Sequence, residues 1–247
     1  MKKILVIGDS CKDVFVYCHA QRLAPDLPIP ILDVIEEREN PGMAANVARN
    51  IRAIYDACDL LTNDGWEKVT KTRYMHGKTN HAFIRIDSKH PVLSLDPKKL
   101  NLSEYDIIAI SDYNKGFLKE EDIKAICEGH PCVFIDTKKV LGEWAVNAKF
   151  IKINDFEYAR SRDTITPELE KKIIRTEGGK GAVFNGKRYA VPETVEVQDT
   201  SGAGDSFYAA LLVSYAETGD IEKAIAFANE CASRAVAQRG VSVIRRV

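Results

Sequence analysis

Seven consecutive residues, Asp199-Thr200-Ser201-Gly202-Ala203-Gly204-Asp205, combine two glycines, short side chains and a closing carboxylate. Glycines let neighbouring backbone N–H groups turn towards one point, and a helix starting there adds partial positive charge. Gly202, Ala203 and Gly204 therefore form a nest suited to a phosphate carrying developing charge. Asp205, in the first turn, can complement the helix dipole or take a proton from an attacking hydroxyl. The spacing D-x-x-G-A-G-D is far more specific than a lone glycine pair and favours the second role.

Other polar residues follow short apolar runs. Asp9 follows Ile4–Ile7, Asp112 follows Ile107–Ile110, Asp136 follows Val133–Ile135, and Asn154 follows Phe150–Ile153. In an open parallel sheet such positions gather along the carboxyl edge, where ligands bind. One such residue would be read as a helix cap; four, together with the glycine loop, point to a site.

Competing chemistries fail on spacing. Gly77-Lys78-Thr79 imitates the end of a Walker loop, but Thr72 holds the place of its first glycine and the segment lies between β-rich stretches. Asp199-Thr200-Ser201-Gly202 resembles an aspartic-protease loop, yet no second copy exists and helix formers follow it. Ser201 and Ser206 lack a G-x-S-x-G elbow. His76 and His81, five apart, match no zinc spacing. Lys71, Arg73 and Arg85 on β-rich stretches, with Lys115 after an apolar run, could clamp a substrate phosphate; a solvated strand face explains them equally well.

The 247 residues are 45% hydrophobic and 29% charged, with 35 Lys+Arg against 36 Asp+Glu and a net charge of −1. That composition supports a full core and excludes a disordered chain. The balanced charge argues against nucleic acid or an acidic membrane as partner. No apolar stretch reaches membrane-spanning length, and Ile4–Ile7 after Lys2-Lys3 is too short for an export signal. Six cysteines without a C-x-x-C pair read as reduced thiols, which implies a cytoplasmic setting.

Short apolar runs at Ile4–Ile7, Tyr105–Ile110, Cys132–Ile135 and Phe150–Ile153 alternate with helical stretches from Pro41, at Lys119–Glu128 and at Lys139–Asn147. This alternation predicts a parallel sheet with helical crossovers. Asp13–Tyr17 with Pro30–Glu36, and Val69–His76 with His81–Asp87, predict a small four-stranded β-layer beside it. The second pair is joined by Gly77-Lys78-Thr79-Asn80. Asn185-Gly186 predicts a hairpin between Ala182–Phe184 and Lys187–Ala190, and helices over Ala203–Glu217 and Ile221–Gln238 close the chain.

With these pieces assembled, the chain resembles the ribokinase-type carbohydrate kinases, and more narrowly the kinase domains of the heptose 7-phosphate kinase/ADP-heptose synthase family. Gly8-Asp9-Ser10-Cys11-Lys12-Asp13 is similar to the family's G-D-x-x-x-D. Arg22-Leu23-Ala24-Pro25-Asp26-Leu27-Pro28-Ile29-Pro30 is similar to R-I-S-P-E-A-P-V-P, and Pro41–Ala48 to P-G-G-A-A-N-V-A. Ser111–Gly116 resembles S-D-Y-x-K-G, Asn154–Glu157 N-x-x-E, Thr176–Gly181 T-x-G-x-x-G, and Asp199–Asp205 the catalytic D-T-x-G-A-G-D.

The resemblance implies an α/β/α sandwich with a mainly parallel sheet and a β-sheet lid. It implies one kinase domain over residues 1–247, with lid strands within 11–40 and 69–90. It implies transfer of the ATP γ-phosphate to a sugar hydroxyl, with Asp205 as base and the amides of Gly202, Ala203 and Gly204 as anion hole. Asp13, Gly42 and Asn46 would hold the sugar, and Lys115, Arg73 and Arg85 a phosphate on it. Asn154, Thr176, Gly178, Gly181, Asn229 and Gly240 would line the nucleotide, and Asn154 with Glu157 would organise Mg²⁺. Heptose 7-phosphate is the implied first substrate. A pentose, hexose phosphate or nucleoside is the alternative acceptor, and a catalytically silent sugar- or nucleotide-binding relative the alternative class. A homodimer through the lid is implied by analogy.

Departures from the family pattern are local. Met43 replaces the second glycine of P-G-G, the stretches 51–66 and 158–175 are shortened, and Gly240-Val241-Ser242 stands where the family has G-T. No cytidylyltransferase-like segment follows Val247.

Overall fold

The structure is a computed structural model, and it describes residues 1–79, 81–88, 90–97, 100–192, 195–238 and 240–245. The chain runs β1 Ile4–Gly8, β2 Ser10–Leu23, β3 Pro30–Met43, α1 Ala44–Arg52, β4 Cys58–Thr62, β5 Thr70–His76 and β6 Ala82–Asp87. It continues with β7 Ile107–Asp112, α2 Glu120–Gly129, β8 Val133–Thr137, β9 Phe150–Asn154, α3 Asp155–Ser161, α4 Pro167–Glu170 and β10 Ile173–Thr176. The hairpin β11 Ala182–Phe184 and β12 Lys187–Tyr189 precedes α5 Ala203–Thr218 and α6 Ile221–Val236.

The large sheet has the order β12-β11-β10-β9-β8-β7-β1-β4. It is parallel from β10 to β4 and antiparallel in the terminal hairpin. Side chains alternate between its faces, as pleating requires. Ile4, Val6, Ile107 and Ala109 face α1, α5 and α6, while Leu5, Ile7, Ile108 and Ile110 face α2 and the segment around Trp144. The result is a three-layer α/β/α sandwich. The second sheet, β3-β2-β5-β6, stands beside it and matches the expected four-stranded layer. One of its faces, Phe15, Tyr17 and Met75, packs against Val241.

Three elements differ from the sequence reading. The helix expected over Lys139–Asn147 is a single 3-10 turn, Glu143–Ala145. Leu141, Trp144 and Ala145 are buried at the helical spacing i, i+3, i+4, but the fully extended Gly142 breaks the helix after Leu141. The shortened stretch after α1 retains its strand: β4 pairs with β1 along the edge of the sheet, and a 3-10 turn replaces the helix that would follow. The helical pattern from Pro41 starts only at Ala44, because β3 continues to Met43. Asn80, part of the predicted loop of the lid hairpin, lies outside the described residues.

Candidate active site

The amino end of α5 lies at the carboxyl edge of the parallel sheet. Gly202, just before it, has φ 79°. A Cβ there would lie 3.1 Å from Val241 Cγ1 and 3.2 Å from Asn46 Nδ2, so both backbone conformation and space call for glycine. Asp199 ties the turn down, accepting from the Ser201 N–H (2.8 Å) and the Gly240 N–H (3.2 Å). Asp205 is 5% exposed. Its Oδ2 accepts from Asn46 Nδ2 at 2.8 Å and its Oδ1 from the Tyr113 hydroxyl at 2.5 Å. Burial raises the carboxyl pKa; the Asn46 and Tyr113 hydrogen bonds oppose that rise without cancelling it.

A buried ionic cluster underlies this turn. Lys152 of β9 places Nζ 3.2 Å from where a Cβ on Gly204 would stand, and donates to Asp136 Oδ2 at 2.8 Å. The other oxygen, Asp136 Oδ1, is buried without a hydrogen-bond partner among the described residues and lies 3.9 Å from Lys138 Nζ. Lys138 is ion-paired with Glu157. Burial lowers the Lys138 pKa, but the charges of Asp136 and Glu157 outweigh it and hold the ammonium above its ordinary value.

Asn154 and Glu157 come together as a capping box at the start of α3. The Glu157 N–H donates to Asn154 Oδ1 (2.9 Å), and the Asn154 N–H donates to Glu157 Oε2 (2.9 Å). Among the described residues no group of three or more His, Cys, Asp or Glu side chains is placed to hold a metal ion. Glu157 supplies one hard oxygen donor, which fits Mg²⁺, an ion that keeps several waters and binds largely through substrate phosphates.

On the lid side, Asp13 is ion-paired with Arg73 at 2.5 Å. Gly42 permits this, since a Cβ there would run into Asp13 Oδ2 and lie 2.8 Å from Cys11 Sγ. Arg85, opposite Arg73 in the lid register, pairs with Asp87 at 2.7 Å. Lys71 Nζ contacts Met43 Sδ (2.8 Å) and stands over the Tyr113 ring. Met43 itself is buried at φ 60°, ψ −132°, a region that glycine adopts freely and other residues only under strain. Lys115 is exposed, and its backbone N–H donates to Asp9.

Of the four strand-end residues, two are spent internally. Asp9 accepts from the N–H groups of Tyr113, Lys115 and Phe117, and Asp112 accepts from Thr137 and Lys139. Thr176 stands beside Asn154 in the sheet register. Gly178 and Gly181 bracket the next turn, Gly181 close against the Tyr189 carbonyl, to which Asn229 Nδ2 donates at 2.7 Å. Gly240 is tied to the turn before α5 through Asp199.

Residues 137–245 match the model of the pfkB family carbohydrate kinases. Among curated proteins, the chain is 28% identical to the bifunctional protein HldE of Helicobacter pylori strain J99 over 295 aligned residues. That alignment covers 97% of this chain and 64% of the relative. HldE of Caulobacter vibrioides is also 28% identical, with 98% and 62% covered. The chain thus spans less than two thirds of the length of these relatives. Both alignments are longer than the chain, so the relatives carry segments it lacks. Ribokinase from Thermotoga maritima superimposes with a TM-score of 0.74 at 21% identity, covering 98% of this chain and 95% of that one. Phosphofructokinase-2 from Escherichia coli gives 0.72 at 16% identity, covering 99% and 96%. The fold is ribokinase-like.

The site also contains residues that sequence reasoning did not select. Lys152 interrupts the apolar run Phe150–Ile153, and a charge inside a two-faced strand is itself a signal of a paired, buried ion. Tyr113 lies within Ser111–Gly116, already singled out, and Lys138 between Asp136 and the stretch from Lys139, but nothing in their spacing distinguishes them from their neighbours.

Proposed function

We propose that this chain is an ATP-dependent kinase of a sugar or sugar phosphate, with Asp205 as the base. The supporting observation is a buried carboxylate in the first turn of α5, hydrogen-bonded by Asn46 and preceded by the Gly202-Ala203-Gly204 turn, whose Ala203 N–H donates to the Thr200 carbonyl at 3.2 Å. On this reading the sugar is held by Asp13, Gly42 and Asn46, and Asn46 exchanges its bond to Asp205 Oδ2 for one to the sugar. The acceptor hydroxyl then reaches the freed oxygen. Its proton passes to Asp205 as its oxygen attacks the γ-phosphorus, and the bond to the bridging oxygen breaks to release ADP. The amides of Gly202 and Gly204 hold the transferring group, joined by that of Ala203 once it leaves the Thr200 carbonyl, with Lys152 close to Gly204 adding positive charge.

ATP would run along Asn154, Thr176, Gly178, Gly181, Asn229 and Gly240. Mg²⁺, when bound, neutralises phosphate charge, and Glu157 with Asn154 would hold it through its water shell. Lys71, Arg73, Arg85 and Lys115 form the cationic side suited to a phosphorylated acceptor. The segments Arg22–Pro30 and Ser111–Gly116 make heptose 7-phosphate, phosphorylated at its anomeric hydroxyl, the first acceptor to try. A cytoplasmic setting is supported by six free cysteines, of which Cys11, Cys58 and Cys127 are pushed by burial to a pKa of about 12.

ADP release measured over a panel of plain and phosphorylated sugars tests the reading; one acceptor should stimulate it strongly. Asp205→Asn should lower that turnover by about 10²–10⁴-fold, as expected when a positioned base is removed, with ATP binding retained. Unchanged turnover in the variant removes Asp205 as base, and binding of neither ATP nor any sugar removes the kinase reading.

A further inference from the structure

The base is fixed from one side by a residue that no substrate need touch. Tyr113 follows β7, and its backbone N–H is anchored on Asp9 Oδ2 at 2.9 Å. Two ammonium groups stand over its ring, Lys71 of the lid at 5.1 Å and Lys138, the partner of Glu157, at 5.3 Å from the ring centroid. Such cation–π contacts help hold an aromatic ring in place. The hydroxyl donates to Asp205 Oδ1 at 2.5 Å, the short distance of a hydrogen bond to an ionised acceptor.

We propose that Tyr113 is the positioning residue of the base: it occupies Oδ1, so that Oδ2 alone faces the acceptor hydroxyl once Asn46 has turned to the sugar. The proposal rests on the kinase reading above. Asn46 can serve the substrate because it is one of two donors on Asp205; Tyr113 has no such exchange to make. The phenol also remains a donor throughout, since burial and the charge of Asp205 keep its pKa well above the ordinary tyrosine value.

Asp205 is faced by Asn46 from α1, Tyr113 from the loop after β7, and Asp136 and Lys138 from β8 and its extension. Lys152 of β9 and Cys11 of β2 complete its electrostatic surroundings. Of these, only Tyr113 and Asn46 hydrogen-bond the carboxylate, and both bonds favour its ionised form.

Tyr113→Phe keeps the ring and its contacts with the two lysines and removes only the hydroxyl. Two measurements read the loss. The first is the ¹³C carboxyl resonance of Asp205 in sugar-free protein, assigned by its absence from Asp205→Asn. The second is the pH profile of sugar-dependent turnover. The resonance should titrate at higher pH in the variant, the acid limb should move the same way, and neutral-pH turnover should fall about tenfold or more, as losing a hydrogen bond to a charged group implies. The KM for ATP should not change, a split that a general loosening of the fold would not produce. An active wild-type chain whose Tyr113→Phe variant keeps both its resonance and its acid limb overturns this proposal alone. A wild-type chain that turns over no acceptor overturns the kinase reading, and this proposal with it.

Discussion

At Asp205 a carboxylate is held away from water with two neutral donors on it and a second carboxylate, Asp136, in the same cluster. Its folded-state pKa is therefore raised above the ordinary aspartate value of 3.8. Between that value and the raised one the native state retains a proton that the unfolded chain has lost, so this residue's contribution to stability falls as pH rises through the window. The stability difference between Asp205→Asn and the wild type should shift in favour of the variant as pH rises from about 4 to 7. Hydrogen bonds lost by the amide offset the difference equally at every pH and leave its slope intact. Urea unfolding at several pH values measures it, and a flat difference would mean that Asp205 is solvated in the folded protein. Met43 makes the same point through the backbone: a strained conformation just before α1 persists because surrounding contacts hold it.

The elements that carry these residues are positioned by alternation. Each of the central strands β1, β7 and β8 divides its side chains between two cores, and α5 is buried along nearly its whole length against the sheet, α1 and α6. A helix so enclosed cannot shift its first turn, which keeps Asp205 and the glycine amides in register with β8 and β9. Phe134 of β8 is central to that packing. Its ring lies 5.3 Å from Phe150 of β9 and 5.0 Å from Tyr215 of α5, centroid to centroid. Phe134→Ala should cost about 3–5 kcal/mol, read as a lower denaturation midpoint with an unchanged denaturant slope. A cost below 1 kcal/mol would mean that α5 is not clamped to the sheet through this cluster. The absent helix between β8 and β9 fits the same logic. Leu141, Trp144 and Ala145 fill the layer under the sheet at helical spacing, so the periodicity suggested a helix that the extended Gly142 interrupts.

Across the whole molecule, the lid has one face on the C-terminal segment through Val241 and another open. On the open face Val34, Ile84 and Ile86 are 60%, 53% and 52% exposed, in the row of Val14, Val16, Cys18 and Tyr74. An apolar sheet face of this kind favours self-association. Sedimentation should find a dimer, and Ile84→Glu with Ile86→Glu should return it to monomer without unfolding it. A wild-type monomer at micromolar concentration would count against a lid-mediated pair. Among the described residues, no helix is long and apolar enough to cross a membrane.

The alternating runs, the N-G hairpin, the four lid strands and the glycine turn before α5 were legible because each depends on local periodicity or on backbone conformations that few residues adopt. The order of the strands, the survival of β4 and the pairing of Lys152 with Asp136 were not, because contacts between residues far apart in the chain leave no local pattern. The same holds within the site. The residue types pointed to a glycine turn with a carboxylate beside it, whereas only folding brought Tyr113 onto that carboxylate across 92 positions of chain. Hydrogen bonds of such range depend on how layers stack, and stacking is set by the summed burial of many side chains, no one of which announces its partner.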